Sequence, residues 1–255
     1  MFFLKKILKK NFFIYDLFTK LILIMLHKNI GVLFYNTRKD LHFNFSILSK
    51  IADSKFDYNR IESLFNYKFK EIIFEEIKKK IKDKKIRILE IGTFDAKFTN
   101  WLSKLFPDAE IITIDIDHNS ENFIKLEKSS SQPKELLLKI REKNLNRKNI
   151  RFIQMNSLDL MKKFNQESFD IIFVDGYHKN PIVSHDIENS YALIKKNGYV
   201  VVDDLSYSNQ RNSSLDGMNA IKKLNNIKVE LLLKHVRPHN YFFKSYIGFY
   251  QKKTN

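Results

Sequence analysis

The chain has 255 residues, of which 44% are hydrophobic and 14% aromatic. That length suffices for one large domain, and this hydrophobic content excludes general disorder, which requires low hydrophobicity together with high charge. Cysteine is absent, which excludes disulfides, thiolate metal sites and cysteine nucleophiles. We therefore expect a globular protein of the cytoplasm.

The formal net charge of +16 has two explanations. A strongly basic chain is typical of proteins that bind nucleic acid or an acidic membrane surface. Lysine greatly outnumbers arginine, however, and bidentate phosphate recognition favours arginine. Lysine, asparagine, isoleucine and phenylalanine are abundant throughout, as an AT-rich genome would produce. We therefore do not expect nucleic acid as a partner.

Residues 1–28 place apolar side chains at helical spacing and predict an amphipathic basic helix. Asp16 and Lys20 interrupt its apolar run, so the segment is too short to span a bilayer, and no signal-peptide cleavage site follows. One interpretation is a helix that lies on an anionic membrane as a peripheral contact. The other is a helix that packs against the domain or against a second subunit of a homo-oligomer.

Beyond this helix, residues 29–58 read as an irregular connection with a short helix at 47–51, and a long amphipathic helix follows at 58–82. Apolar strands and helices then alternate. We predict strands at 86–91, 110–115, 150–154, 169–175 and 199–203. We predict helices at about 97–105, 133–142, 158–164, 182–195 and 215–224. An antiparallel hairpin of segments 228–236 and 243–252 completes the elements.

The strands IRILEI, IITID and DIIFVD are near-continuously apolar, as parallel strands covered on both faces must be. Their alternation with helices predicts an α/β fold: a Rossmann-like, doubly wound, mostly parallel sheet of seven strands with an antiparallel C-terminal hairpin, plus N-terminal helices. We assign residues 59–255 to this domain. Residues 1–58 are then an N-terminal region of basic helix and irregular connection.

The turn after the first strand is a candidate binding site, because open α/β sheets bind ligands beyond the carboxyl ends of their strands. Gly92 would let the backbone approach a ligand closely. The turn has only the first glycine of a G-x-G-x-x-G fingerprint, which disfavours a pyrophosphate. Glu90 suits a cationic ligand, and Asp115 ends the second strand, where it can bind ribose hydroxyls. A cationic adenosine without phosphate describes S-adenosylmethionine.

The segment LEIGTFDAKFTNWL resembles motif I of class I S-adenosylmethionine-dependent methyltransferases, and IITIDID resembles their second-strand acid motif. IRFIQMNSLDLM is similar to the third-strand segment that meets adenine, and FDIIFVDGYHKN and LIKKNGYVVVDDL resemble the fourth and fifth strands. This resemblance runs from about residue 60 to 255. It implies cofactor contacts from Glu90, Gly92, Thr93, Asp115, Asn156 and Ser157. Ala96 departs from the common glycine, and Asn156 from the usual aspartate.

Three carboxylates follow the fourth and fifth strands, Asp175 after the one and Asp203 and Asp204 after the other. Oxygen ligands of this kind suit Mg²⁺. With His178 three residues after Asp175, the pattern resembles metal-dependent O-methyltransferases of catechols and macrolide sugars. The resemblance implies that Asp175, Asp203 and Asp204 bind a divalent metal and that His178 is the general base, which makes Asp175 and His178 the catalytic pair. Alternatively, the acids are loop or cap features and the histidine is structural.

These features favour metal-assisted O-methylation of a hydroxyl on a small molecule or glycan. RNA methylation is an alternative that the charge alone favours, without an evident RNA-binding module. A third hypothesis is a non-catalytic, membrane-associated module with a decayed cofactor site, suggested by Ala96 and the basic N-terminus. Binding of S-adenosylmethionine separates the third hypothesis from the others, and salt-sensitive RNA binding separates the second from the first.

Overall fold

The computed structural model describes residues 41–42, 68–82, 85–120, 133–207, 214–236 and 244–252. The helices predicted at 1–28 and 47–51 and the domain boundary near residue 58 lie outside these residues. The strands are β1 Leu41–His42, β2 Arg87–Ile91, β3 Glu110–Asp115, β4 Ile150–Gln154, β5 Phe169–Val174, β6 Ile194–Leu205, β7 Ile227–Val236 and β8 Lys244–Lys252. The α-helices are α1 Lys68–Lys80, α2 Lys97–Leu105, α3 Lys134–Leu145, α4 Leu160–Lys163, α5 Ile182–Leu193 and α6 Leu215–Lys223.

All eight strands form one sheet in the order β1-β7-β8-β6-β5-β2-β3-β4. The predicted seven-stranded, mostly parallel sheet is confirmed, because β8 runs antiparallel to both β6 and β7 while β2 to β6 are parallel. The two-residue strand β1 is an addition that pairs with β7 at the sheet edge. It comes from the segment predicted as an irregular connection.

Two predicted elements have different bounds in the structure. Strand β6 begins at Ile194, earlier than predicted, because it pairs with β5 from Phe169 onwards. The helix predicted at 158–164 is a 3-10 turn over Ser157–Asp159 followed by the short helix α4. Among the described residues, no helix combines the length and the apolar character needed to cross a bilayer.

Helices cover both faces of the sheet, which explains the continuously apolar strands. Leu89 of β2 faces a core that also contains side chains of α5 and α6, whereas its neighbour Ile88 faces a core with side chains of α1 and α2. Successive strand residues point to opposite faces, so a strand between two cores must be apolar throughout.

The order in which successive strands are added to the sheet reverses at β2, and this switch point positions the site. Strand β2 pairs with β3 on one side and with β5 on the other. Strands β3 and β4 extend the sheet one way, and β5 and β6 extend it the other way. A crevice therefore opens beyond the carboxyl ends of β2 and β5, the usual position of a ligand in such a sheet.

Helix α1 confirms the part of the predicted 58–82 helix that the structure describes. Its residues Ile73, Phe74 and Ile77 are each at most 2% exposed, and each such side chain stabilises the fold by about 1.5–3 kcal/mol. Lys70 lies on the same stripe, three residues before Ile73 and four before Phe74. The packing of α1 therefore inserts a lysine beneath the sheet edge that carries the predicted site.

Candidate active site at the carboxyl edge of the sheet

Gly92 ends strand β2 in a left-handed conformation with φ 99°. Its N–H donates to the carbonyl of Ile114 at 2.9 Å. A Cβ at this position would lie 2.3 Å from the carbonyl oxygen of Asp175. Both the conformation and the close contact require glycine, so the β2 turn packs directly against the end of β5. The Gly92 turn and the acidic segment after β5 are therefore adjacent.

Ala96 begins helix α2 and is fully buried. Its φ of 57° is in the left-handed region that glycine favours. Ala96 thus adopts a conformation typical of glycine and adds one buried methyl group where the resemblance implies glycine.

Glu90 lies in a buried hydrogen-bond network, with only 1% of the residue exposed. Its Oε2 accepts hydrogen bonds from the hydroxyls of Thr99 at 2.5 Å and Thr113 at 2.6 Å. The hydroxyls of Thr93 and Thr113 are 2.7 Å apart. The structure thus places Glu90 and Thr93, two predicted cofactor residues, where they join β2, β3 and α2 beneath the turn.

Burial raises the pKa of Glu90 to about 7 from an ordinary 4.5, against the opposing effect of the Thr113 and Thr99 hydrogen bonds. Between these values the folded chain binds the additional proton, so this group makes the fold less stable as the pH rises through that window. Between about pH 5 and pH 8 we expect the wild type to lose about 2–3 kcal/mol more free energy of unfolding than Glu90→Gln does. Urea denaturation at both pH values measures it, and equal losses in the two proteins would contradict the assignment.

Asp115 ends strand β3 and is held by the β2 turn and by Arg141 of α3. Its Oδ2 accepts the Phe94 N–H at 2.8 Å and the Arg141 guanidinium at 3.0 Å, and its Oδ1 accepts the Ile116 N–H at 2.9 Å. Arg141 also donates to the Phe94 carbonyl. Burial raises the pKa of Asp115, with Arg141 acting in the opposite direction. The sequence analysis does not predict a role for Arg141, which links the β2 turn to Asp115 by hydrogen bonds to both.

The predicted adenine segment follows β4 and lies next to Asp115, since the Met155 N–H donates to the Asp115 carbonyl at 2.8 Å. The Asn156 side chain accepts the Leu158 N–H at 3.0 Å and so caps the 3-10 turn. The Ser157 hydroxyl hydrogen-bonds the carboxyl group of Asp186, whose pKa burial raises to about 6. Asn156 and Ser157 are thus brought beside Asp115, each already engaged in a local contact.

The ammonium group of Lys70 lies between two of the three predicted metal ligands. Its Nζ is 2.6 Å from Asp175 Oδ2 and 2.6 Å from Asp203 Oδ2. The Lys70 side chain is 11% exposed and that of Asp203 only 1%. Burial by itself lowers the pKa of Lys70, but the two carboxylates outweigh it and hold that pKa above its ordinary value.

His178 lies on the other side of Asp175. Its Nε2 is 3.5 Å from Asp204 Oδ2 and 3.8 Å from Asp175 Oδ1, and its side chain is 24% exposed. The structure therefore groups Asp175, His178 and Asp204, whose ligand atoms all lie within 4.8 Å of one another. Asp203 belongs instead to the ion pair with Lys70. In this arrangement His178 can either bind a cation or act as a base, since one lone pair on Nε2 cannot serve both.

The predicted metal site of Asp175, Asp203 and Asp204 does not fit a divalent cation while Lys70 remains in place. Asp203 Oδ2 contacts the ammonium group, and Asp203 Oδ1 accepts the Asp204 N–H at 2.8 Å. A ligand oxygen must approach Mg²⁺ to about 2.1 Å, and the ammonium group 2.6 Å from Asp203 Oδ2 occupies the space of a cation bound to that oxygen. The sequence did contain a signal, because Lys70 interrupts the apolar stripe of α1.

The fold described above is similar to that of solved structures of other proteins. A protein from Staphylococcus aureus assigned as a caffeoyl-CoA O-methyltransferase superposes with a TM-score of 0.53 at 16% identity, over 92% of this chain and 99% of that chain. A protein from Corynebacterium glutamicum assigned as a spermidine synthase gives 0.50 at 13% identity, over 72% and 62%. At such identities the likeness is one of fold. No curated protein matches the chain in sequence.

Residues 89–205 match a family model described as a methyltransferase domain. The match begins within β2 and ends at the last residue of β6, so it covers the Gly92 turn, the Asp115 end of β3 and the segments from Asp175 to Asp204. Lys70 lies outside it. Over these 117 of its 255 residues the chain is therefore similar to a methyltransferase domain.

Proposed function

We propose that this chain transfers the methyl group of S-adenosylmethionine to a hydroxyl oxygen of a small molecule or glycan, with His178 as the general base. The observation that carries the proposal is the position of His178, whose Nε2 lies 3.5 Å from Asp204 and 3.8 Å from Asp175, next to the β2 turn. S-adenosylmethionine supplies a methyl group that its sulfonium already activates. The protein must then align the acceptor oxygen and remove its proton.

The cofactor side of the proposed site is formed by the ends of β2, β3 and β4. The Gly92 turn brings the backbone to the crevice, and Asp115 would accept hydrogen bonds from the ribose hydroxyls. Phe94 and Arg141 use both lone pairs of Asp115 Oδ2, so the ribose hydroxyls would donate to Oδ1, which accepts the Ile116 N–H. Asn156 and Ser157 would lie on the adenine side.

The acceptor side is formed by the ends of β5 and β6. His178 would take the proton of the acceptor hydroxyl at Nε2, the nitrogen that faces the carboxylates. Asp175 and Asp204 would stabilise the positive charge that the imidazole then gains, because opposite charges at this separation attract. Asp175 is itself held by Lys70 at 2.6 Å, which keeps its carboxylate beside the histidine.

The proposal is tested with the full-length chain, methyl-labelled S-adenosylmethionine and a panel of hydroxylated sugars and catechol-like compounds. We expect label in a methyl ether of at least one acceptor. Matched acceptors that carry an amine in place of the hydroxyl serve as the control. Transfer to the amine series alone, or to RNA alone, would contradict the proposal.

We expect Asp115→Ala to weaken binding of S-adenosylmethionine by at least about 1.5 kcal/mol, roughly tenfold, because charge-assisted hydrogen bonds to the ribose are lost. Titration calorimetry measures the affinity. Asp117→Ala is the matched control, since it removes the same charge from a side chain that is 49% exposed two residues further on. Unchanged affinity in Asp115→Ala would remove the ribose contact from the proposal.

A further inference from the structure

Lys70 reaches the acidic edge of the sheet from outside the matched methyltransferase domain. It lies in the first turn of α1, and its partner Asp175 is 105 residues further along the chain. The aromatic rings of Phe173 and Phe98 lie 5.2 Å and 5.7 Å from its Nζ. The ammonium group is thus enclosed by two carboxylates and two aromatic faces, an environment that favours a cation.

The buried charge of Asp203 already has a partner. Asp203 is 1% exposed and cannot be solvated, so its negative charge requires a partner inside the protein. Lys70 supplies that partner and also contacts Asp175. A divalent cation bound to the same two oxygens would lie beside the ammonium group, and the repulsion of like charges at so short a distance is large in a buried site.

We propose that the ammonium group of Lys70 is the resident cation of this acidic edge, in the place where the resemblance implies a divalent metal, and that Lys70 is a positioning residue for methyl transfer that requires no metal. The assignment of Lys70 to methyl transfer rests on the proposed function, whereas the identity of the cation does not. Lys70 holds Asp175 by Oδ2, which leaves Oδ1 facing His178.

The test is a calorimetric titration of the full-length chain with Mn²⁺ alone, without cofactor or acceptor. The wild-type chain is expected to show no saturable binding below about 1 mM, the weak end of protein cation sites. Lys70→Ala exposes both carboxylates, so Mn²⁺ should bind to it at least about tenfold more tightly than to the wild type. A purely structural lysine would not produce this gain. Lys70→Arg should restore the wild-type result, because it restores the positive charge.

Further variants serve as a control and locate any bound Mn²⁺. Lys79→Ala is the matched control, because it removes the same charge from an exposed position of α1 and should bind no Mn²⁺. In Lys70→Ala, an added Asp203→Asn should abolish the gain. Saturable binding to the wild type that Asp175→Asn abolishes would overturn the proposal, as would a folded Lys70→Ala that binds no Mn²⁺. If Lys70→Ala does not fold, the wild-type titration decides alone. Failure to find an acceptor would contradict only the proposed function.

Discussion

Replacing His178 by alanine is expected to lower the turnover number by about 10²- to 10⁴-fold, the usual contribution of a positioned general base. Its imidazole lies beside Asp175 and Asp204, and Nε2 can accept a proton. Affinity for S-adenosylmethionine should be unchanged, because the proposed cofactor contacts lie at the ends of β2, β3 and β4. Initial rates with an acceptor found in the panel, together with titration calorimetry, measure both quantities.

His185→Ala is the matched control for this experiment. His185 is exposed on α5, seven positions after His178 and outside the group formed with Asp175 and Asp204. Turnover of this variant should equal that of the wild type. Retention of full turnover in His178→Ala would show that the histidine is structural. A loss of cofactor binding in the same variant would show that it acts through the fold of the site.

Replacing Lys70 by methionine is expected to lower the free energy of unfolding by about 3–5 kcal/mol at pH 8, the cost of removing one partner of a buried ion pair. Methionine approximates the length of the aliphatic stem, so the packing against Phe98 and Phe173 is largely kept. What is lost is the charge that Asp203 contacts at 2.6 Å inside the protein. Urea denaturation of both proteins measures the difference.

The difference in free energy of unfolding between the wild type and Lys70→Met should become smaller as the pH falls towards about 5. Without Lys70, burial would raise the pKa of the Asp203 carboxyl in the folded state, and protonation would then remove the unpaired charge. A carboxyl group whose pKa is higher in the folded state than in the unfolded state destabilises the fold at high pH. The variant therefore regains stability as the pH is lowered. Lys70→Arg is the control and should lose much less. A deficit that does not change with pH would indicate lost packing alone.

Local patterns in the chain were enough to predict the sheet. Near-continuous apolar runs such as 86–91 and 169–175 predicted buried parallel strands, and the structure has β2 and β5 there with cores on both faces. The hairpin of β7 and β8 also agrees with the prediction. These elements follow from hydrophobic periodicity, which is a property of neighbouring residues and needs no knowledge of distant contacts.

Local patterns were not enough to assign the partners of the acidic residues. Asp203 and Asp204 are neighbours in β6, and the sequence analysis treated them as one pair of ligands. Successive residues of a strand point to opposite faces, so Asp203 lies with Lys70 on the side of α1, whereas Asp204 lies near His178. The alternation itself could have been applied to the sequence, but the lysine that meets Asp203 could not have been found by it.

The same distinction between local patterns and distant contacts applies to the conformation of single residues. Gly92 was expected from the motif, but the reason for it, a carbonyl of Asp175 within 2.3 Å of any added Cβ, comes from the pairing of β2 with β5. The amino-acid sequence alone was sufficient for the class of fold and for the types of residue found at the carboxyl edge of the sheet. Which carboxylates contact Lys70 or Arg141 depends on contacts between segments far apart in the chain. Such contacts exist only once the two cores have packed, because a buried charge selects its partner by position in space and not by spacing along the chain.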